Sequence, residues 1–376
     1  MLIVFFSSVF NHHSLPLCDA LNQQQDVTCY FVETMEEEEE RRQLGYHPYA
    51  RDYVLNMLES EENRQKALDL ALTADVMIAG VFPYAFLKER LLRNKLTFLC
   101  QERMFKGNVT WLRRVRAWLY NMRKFFAFRN KPLYLLAIGK NAALDYKSIG
   151  FYRNKCFQWA YFPPFISYDC KELMKKKDHL TTEILFVGRL IPLKHPEYAL
   201  CAAKKLLRKG YQVRLTYIGT GEMEADLRKE AEEIKEAVSF LGAMPPEQVR
   251  EHMEKGNIFV FTSNSMEGWG AVVNEAMNAG CAIVAGSASG AVVTMIRDGA
   301  NGCVYEEENY EQFYEKLEML VADSNLVCRL GEDAYKTICE QYNADVAAER
   351  FCEQCRHLLL GESVQGYDEG IMRIIC

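Results

Sequence analysis

Ile184-Leu185-Phe186-Val187-Gly188-Arg189-Leu190 reads as a buried strand that ends in an arginine, with Lys194 five residues further on. Ile191-Pro192-Leu193 makes a short loop, and Pro196 then opens a helix. Strand, short loop and helix form the repeating unit of a parallel α/β sheet. The same unit recurs along the chain. In the N-terminal half, strands are expected at residues 2–7, 28–33, 75–80, 96–100 and 134–138, with helices between them, for example over 14–23 and 48–72. In the C-terminal half, strands are expected at 184–188, 213–218, 237–241, 257–261, 281–285 and 302–305. Helices follow over 196–209, 222–235, 246–254, 270–279 and 309–322, and two more near 324–341 and 343–360 close the chain. The expected fold class is α/β, with two Rossmann-like parallel-sheet domains.

A chain of 376 residues suits two domains of ordinary size. The expected division is an N-terminal domain over 1–165, a linker over 166–182, a C-terminal domain over 183–342, and a last helix and tail over 343–376 that returns toward the N-terminal domain. The linker is marked by Tyr161-Phe162-Pro163-Pro164-Phe165 and then by the basic run Lys171–Lys177. Ligands of two open α/β sheets are expected at the carboxyl ends of the strands, in a cleft between the domains. Apolar residues make up 49% and charged residues 26%, the balance of a water-soluble globular protein. A net charge of −6 excludes a polycation built for nucleic acid. The first residues, Met1 to Phe10, lack the basic start of a signal peptide and fit a buried strand better. Thirteen cysteines are scattered through apolar runs, and Cys352 and Cys355 stand alone as a Cys-x-x-Cys on a helix. They read as buried thiols in a reducing compartment rather than as a metal or redox centre. Glu36–Glu40 with Arg41 and Arg42 reads as a solvated charge run.

The chemistry concentrates in the C-terminal half. Arg189 offers a planar fork of donors to phosphate oxygens, and Lys194 a movable charge just ahead of a helix N-terminus. The bland alternative is two surface cations in a loop. Ile218-Gly219-Thr220-Gly221 follows a strand, and Gly219 lets backbone approach a ligand closely, although a plain turn reads the same. Leu241, in Phe240-Leu241-Gly242, ends another strand and could offer main-chain groups to a nucleobase. The stretch Glu267-Gly268-Trp269-Gly270-Ala271-Val272-Val273-Asn274-Glu275 runs from a glycine-broken turn into a helix. Backbone N–H groups of Gly268, Trp269, Gly270 and Ala271 can point at an anion or hydroxyl there. An acidic first turn explains Glu267 without a ligand. It explains Glu275 less well, because a carboxylate among apolar residues is costly when unpaired. Two cations and two carboxylates together suit a ligand carrying a diphosphate and sugar hydroxyls.

Residues 184–305 resemble the donor domain of the retaining glycosyltransferases called group 1, or family 4, with the GT-B fold. Gly188-Arg189…Lys194 is similar to the family's Gly-Arg-x4-Lys element, and Glu267 through Glu275 to its Glu-x7-Glu element. Asn274-Glu275-Ala276-Met277-Asn278-Ala279-Gly280 and Gly299-Ala300-Asn301-Gly302 follow its pattern too. The resemblance implies that Arg189 and Lys194 hold the donor diphosphate, that Glu267 lies at the donor sugar and Glu275 at the ribose. It also implies retention with front-face attack. No carboxylate nucleophile for double displacement is evident. No Asp-x-Asp stands at a strand end and no metal-ligand cluster appears, so metal-independent transfer is expected, without a cofactor beyond the nucleotide-sugar cosubstrate.

The N-terminal half departs from the common pattern. Its first loop, Phe10-Asn11-His12-His13-Ser14, has no glycine and resembles a subgroup of bacterial cell-surface polysaccharide transferases. His12 and His13 are candidates for binding an acceptor, with His13 favoured for proton transfer. An N-cap at Asn11 or Ser14 with incidental histidines is the competing reading. Glu102, after the strand 96–100, is a further acceptor candidate. From Arg103 to Leu144 there are ten Lys/Arg and no Asp or Glu. Trp111, Leu112, Val115, Trp118, Leu119, Met122, Phe125 and Phe126 fall at helical spacing there. Residues 109–129 read as a basic amphipathic helix for an anionic membrane surface, or as a core-facing stripe with a basic outer face. No apolar run approaches the ~20 residues that span a bilayer.

The expected activity is transfer of a sugar from a nucleotide-sugar donor, UDP-linked by preference, to a glycan or lipid-linked acceptor in cell-surface polysaccharide synthesis. The transferred group is a hexosyl or N-acetylhexosaminyl unit. The expected location is cytoplasmic, peripheral at the inner face of the plasma membrane, without nucleic-acid partners. Two alternatives stay open: a soluble transferase for a small molecule or storage glucan, and a catalytically silent sugar-nucleotide-binding subunit.

Overall fold

The structure is a computed structural model that describes residues 1–36, 49–107, 109–152, 154–177 and 180–375. Most of the acidic run at 36–42, from residue 37 on, lies outside the described residues. The chain divides into two compact units, Met1–Pro164 with Gln341–Cys376, and Phe165–Glu340.

The first unit holds strands β1 (Leu2–Ser7), β2 (Thr28–Glu33), β3 (Val54–Asn56), β4 (Val76–Ala79), β5 (Leu96–Gln101), β6 (Leu133–Ile138) and β7 (Cys156–Trp159). Its helices before the crossing are α1 (Leu15–Gln23), α2 (Glu61–Thr73), α3 (Tyr84–Leu92), α4 (Trp111–Phe125) and α5 (Lys140–Ser148). The strands form one sheet in the order β3-β2-β1-β4-β5-β6-β7, and every pair in it is parallel.

The second unit begins with α6 (Cys170–Lys175) and holds β8 (Thr182–Val187), β9 (Val213–Ile218), β10 (Val238–Phe240), β11 (Ile258–Phe261), β12 (Ala282–Gly286) and β13 (Cys303–Tyr305). The helices between and after these strands are α7 (Pro196–Arg208), α8 (Glu224–Ala231), α9 (Pro246–Lys255), α10 (Val272–Asn278), α11 (Gly290–Met295), α12 (Tyr310–Ala322) and α13 (Ser324–Gln341). The sheet order is β10-β9-β8-β11-β12-β13, again parallel throughout. Both expected parallel sheets are present, and the α/β class holds.

Strands buried on both faces explain the near-continuous apolar runs. Ile184, Phe186, Leu215, Tyr217, Ile258 and Val260 lie in one core, with Leu200, Leu206, Phe313 and Leu317 from the covering helices. Val4, Phe6, Met77, Leu99 and Leu135 play the same part in the first unit. The chain then returns: α14 (Ala344–Leu359) belongs to the first unit and packs on α1. The tail beyond it pairs with the edge strand β7, where Phe157 and Ile374 form an antiparallel bridge. Gln158 N–H donates to Arg373 O at 2.8 Å and Ile375 N–H to Cys156 O at 3.0 Å. An otherwise open edge is thereby covered.

Several boundaries differ from the sequence-based expectation. The helix expected over 48–72 is a short strand and a shorter helix. Val54-Leu55-Asn56 pairs with β2, and Ser60 caps α2 by accepting from Asn63 N–H at 3.0 Å, so the helix starts only there. The helix expected over 222–235 ends at Ala231, where a 3-10 segment with a kink at Ile234 follows. The helix expected from 270 begins at Val272, because Gly270 has φ +89°. Strand β7 was not foreseen. Its buried Gln158 breaks the apolar pattern but is satisfied by Tyr342 Oη at 2.7 Å and Gly370 O at 3.0 Å. The segment read as a linker over 166–182 is in part packed structure. It carries α6, with Leu173 and Met174 buried against Tyr335. Lys177, from the run read as basic and polar, is buried and donates to Gly256 O at 2.6 Å and Ala279 O at 3.1 Å. Its ammonium joins the carboxyl ends of α9 and α10, and burial lowers its pKa.

Arg90 performs a similar task in the first unit. It is fully buried and donates to Ala71 O, Ala74 O, Asp75 O, Leu96 O and Thr97 Oγ1. Burial pushes its pKa down to about 10. Arg90→Leu would leave these buried carbonyls unpaired. It is expected to lower unfolding free energy by about 3–5 kcal/mol, measured by urea denaturation. A loss within experimental error would contradict this role.

Candidate functional site

Parallel strands place all their following loops on one edge of the sheet, and a crevice opens where the strand order reverses. In the second unit that point lies between β8 and β11, since β8 pairs with β9 on its other side. The loop after β8 carries Arg189 and Lys194, and the loop after β11 carries Glu267. Lys194 and Glu267 form an ion pair across this gap, with side chains 17% and 18% exposed. Lys194 Nζ also lies over the Phe261 ring, 5.5 Å from its centroid. Arg189 is exposed, and its side chain makes no hydrogen bond or ion pair among the described residues.

The loop that holds these cations is fixed by glycine. Gly219 has φ +128°, and a β-carbon on it would lie 2.1 Å from Gly188 O. A β-carbon on Gly221 would lie 2.2 Å from Leu190 O. The Gly-x-Gly turn read as a ligand contact is therefore packed against the 188–190 loop. Hydrogen bonds lock the contact: Gly188 N–H to Ile218 O at 2.9 Å, Leu190 N–H to Thr220 O at 2.9 Å and Met223 N–H to Leu190 O at 3.0 Å. Leu241 stands at the same edge with its side chain exposed. Its N–H is used by Tyr217 O at 2.9 Å, and Gly242 O accepts from Gly219 N–H at 2.8 Å. The Leu241 carbonyl and side chain remain for a ligand.

Glu267 is followed by the turn into α10. Trp269 is buried, and its indole N–H donates to Asn274 Oδ1 at 2.9 Å. It anchors the turn and presents only main chain. The carbonyls of Gly268 and Trp269 accept from Gly290 and Ala291 N–H, both at 3.0 Å. The N–H groups of Gly268, Trp269, Gly270 and Ala271 donate no hydrogen bond among the described residues. They stay available to an anion. Glu275, one turn into α10, has its pKa raised by burial, and the charge of Arg250 opposes the rise in part. Arg250 was not singled out in the sequence. It donates to Glu275 O at 3.1 Å and to Asn278 Oδ1 at 2.9 Å, and only folding brings α9 beside α10.

In the first unit the order reverses between β1 and β4. His12 and His13 lie in the loop after β1. Asn11 Oδ1 accepts from His13 N–H at 2.9 Å and Ser14 N–H at 3.2 Å, so Asn11 shapes the start of α1. The two imidazoles lie with centroids 3.7 Å apart and planes tilted by 46°, and His13 lies 5.6 Å from the Tyr161 ring. The Tyr161 hydroxyl donates to Glu102 Oε1 at 2.7 Å, and Lys106 pairs with Glu102 Oε2 at 3.0 Å. His12, His13 and Glu102 thus form one cluster through Tyr161, which sequence reasoning passed over as part of a domain boundary. The strand β7 that places Tyr161 was the missing signal.

The basic amphipathic helix is α4. Only Asn121 and Phe125 are buried in it, and Trp111 is 70% exposed. Leu112, Val115, Trp118, Leu119 and Tyr120 are exposed as well. Phe125 at the end of the stripe packs into the core of the first unit, while the part from Trp111 to Leu119 faces away from that core. Among the described residues no helix is long and apolar enough to cross a membrane.

Part of the chain is similar to known proteins. Residues 171–337 match the family model described as glycosyl transferases group 1. D-inositol 3-phosphate glycosyltransferase of Nocardia farcinica is 32% identical over 157 residues, which cover 39% of this chain and 34% of that protein. The capsular polysaccharide biosynthesis glycosyltransferase CapM of Staphylococcus aureus is 26% identical over 185 residues, 47% of this chain and 46% of that protein. The chain thus spans less than half the length of these curated relatives. Anabaena HepE, solved in complex with UDP, superposes with a TM-score of 0.66 at 14% identity, over 94% of this chain and 99% of that one. That likeness is one of fold, and the fold is of the GT-B class.

Glu275 yields a test of site against stability. A carboxyl whose pKa is raised in the folded state destabilises the protein above that pKa and not below its unfolded value. Glu275→Gln is therefore expected to raise Tm by about 2–5 °C near neutral pH. The gain should vanish toward pH 4. Calorimetry across pH would refute this if the variant melted lower than wild type at neutral pH.

Proposed function

We propose that the chain transfers a sugar from a nucleotide-sugar donor, UDP-linked by preference, with retention and without a metal. The observation that carries this reading is the Lys194–Glu267 pair at the strand-order reversal, at the same loop edge as the exposed Arg189 and within a segment matching group 1 glycosyl transferases. Arg189 and Lys194 hold the diphosphate, and the N–H groups of residues 268–271 add donors to the developing charge. Lys194 turns from Glu267 to phosphate when donor binds, which frees the Glu267 carboxylate for sugar hydroxyls. Glu275 takes the ribose. The acceptor lies at His12, His13 and Glu102, with His13 handling the proton of the attacking hydroxyl. A hexosyl or N-acetylhexosaminyl unit is the transferred group. Capsular synthesis by CapM and the exposed face of α4 favour a glycan or lipid-linked acceptor of cell-surface polysaccharide.

Arg113, Arg114, Arg116, Arg123 and Lys124 on α4 meet an anionic bilayer while Trp111, Leu112, Val115 and Trp118 enter its interface. This gives a peripheral protein at the cytoplasmic face of the plasma membrane. In this reading the protein has no nucleic-acid partner.

Two measurements test the proposal. A thermal-shift screen with UDP- and GDP-sugars should show stabilisation by at least one of them. Lys194→Ala should lower that donor's affinity about 10–100-fold, since one charge-assisted phosphate contact is lost. No shift with any donor would sink the transferase reading. Separately, wild type should co-sediment with vesicles containing phosphatidylserine, and an Arg113→Glu/Arg114→Glu/Arg116→Glu variant should stay in the supernatant. Equal pelleting of both proteins would refute the membrane role of α4.

A further inference from the structure

The residue after Lys194 has features that diphosphate binding by Lys194 alone does not explain. His195 adopts the left-handed conformation, φ 46° and ψ 52°, immediately before Pro196 opens α7. Glycine or asparagine occupies such positions at least cost, so a histidine there is held by its surroundings. Three contacts hold it. Thr262 Oγ1, just beyond β11, lies 2.6 Å from Lys194 O and 3.0 Å from His195 O. His195 Nδ1 lies 2.8 Å from Glu197 Oε1. The imidazole also packs on the Tyr198 ring at 5.1 Å between centroids. Tyr198 in turn donates to Glu308 O at 3.2 Å, and Glu308 is itself left-handed at φ 62°. His195 Nε2 is enclosed without a hydrogen-bond partner.

The ionisable groups around the imidazole are mostly acidic. Glu197 and the Tyr198 phenol face it from α7, Glu307 and Glu308 from the loop between β13 and α12, and Lys194 precedes it in its own loop. Thr262, the contact from β11, is uncharged. Lys194 is already paired with Glu267. Arg189 and the shared ammonium of Lys194 are then the cations of this loop, and the three carboxylates of Glu197, Glu307 and Glu308 oppose them where the diphosphate would approach.

We propose that His195 is a positioning residue of the donor site: its imidazolium offsets Glu197, Glu307 and Glu308 and keeps the Lys194 loop attractive to a sugar-nucleotide diphosphate. This rests on the donor-site reading given above. The hydrogen bond to Glu197 and the field of the carboxylates raise the His195 pKa above 6.5, and burial opposes them. A raised histidine pKa means that the charge is present at low pH and lost as pH rises through the folded-state value. Donor affinity should fall over the same window.

The test is calorimetric titration of UDP-glucose and of GDP-mannose at about pH 6 and about pH 8.5, which bracket a raised imidazole. The diphosphate of these probes is a diester with fixed charge in that range, and the comparison of wild type with the His195 variants assigns the slope to the imidazole. Wild type, His195→Asn, His195→Gly and Lys194→Ala are compared. Asparagine and glycine both accept the left-handed backbone, so neither introduces new strain. Wild type is expected to bind about fivefold more weakly at the higher pH. His195→Asn and His195→Gly should bind at the lower pH as weakly as wild type does at the higher, with no pH slope. Melting curves confirm that they are folded. Variants that keep the wild-type slope, or that bind as tightly as wild type at low pH, would overturn the proposal and leave His195 a backbone role only. Lys194→Ala should weaken binding at both pH values. Wild type that binds neither probe at either pH would overturn the donor-site reading itself.

Discussion

Parallel pairing is the constraint on which the rest depends. Every strand pair in both sheets is parallel. Each strand must then be followed by a crossover, and helices cover both faces. All loops that follow strands emerge at one edge. Residues far apart in sequence, such as Lys194 and Glu267, meet there without any need for a long loop. The helices take the apolar stripes, so the loops are left to carry charge and glycine.

Close approach of backbone to backbone then sets the geometry of the donor candidate. Gly219 and Gly221 admit the carbonyls of Gly188 and Leu190 where no β-carbon would fit. Gly270 at φ +89° starts α10 late and leaves a run of N–H groups before it that donate no hydrogen bond among the described residues. Buried cations complete the frame. Lys177 ties the carboxyl ends of α9 and α10, and so holds the helix that carries Glu275. Arg90 does the equivalent work among α2, β4 and β5. Charges in these places are stable because several carbonyls share each one.

Much of this was legible in the chain. The strands at 2–7, 28–33 and 213–218 have the bounds that their apolar runs suggested, since burial on both faces leaves an uninterrupted signal. Arg189, Lys194, Glu267 and Glu275 stood out because cations and carboxylates at strand ends and helix starts have a chemical reason to be there, and the fold brings two of them, Lys194 and Glu267, together. The edge strands β3 and β7 were not found. They are short, β7 carries Gln158, and their pairing energy comes from neighbours that a window of sequence does not contain. The 166–182 segment looked like a linker because lysines usually face water. Lys177 does not, and its four acceptors come from residues 253–279.

The sequence by itself determined the α/β class, the two parallel sheets and the identity of the donor candidates, because these follow from local periodicity and residue chemistry. Tertiary structure decided what each candidate faces. It turned the Gly219 turn toward the 188–190 loop, buried the Trp269 side chain and exposed the apolar stripe of α4. It gathered His13, Tyr161 and Glu102 from the ends of three strands, and placed Arg250 beside Glu275. It set His195 among carboxylates from two separate elements. Those outcomes rest on contacts between residues distant along the chain. Local pattern is blind to them, since the field and packing at a side chain are fixed only when the fold closes around it.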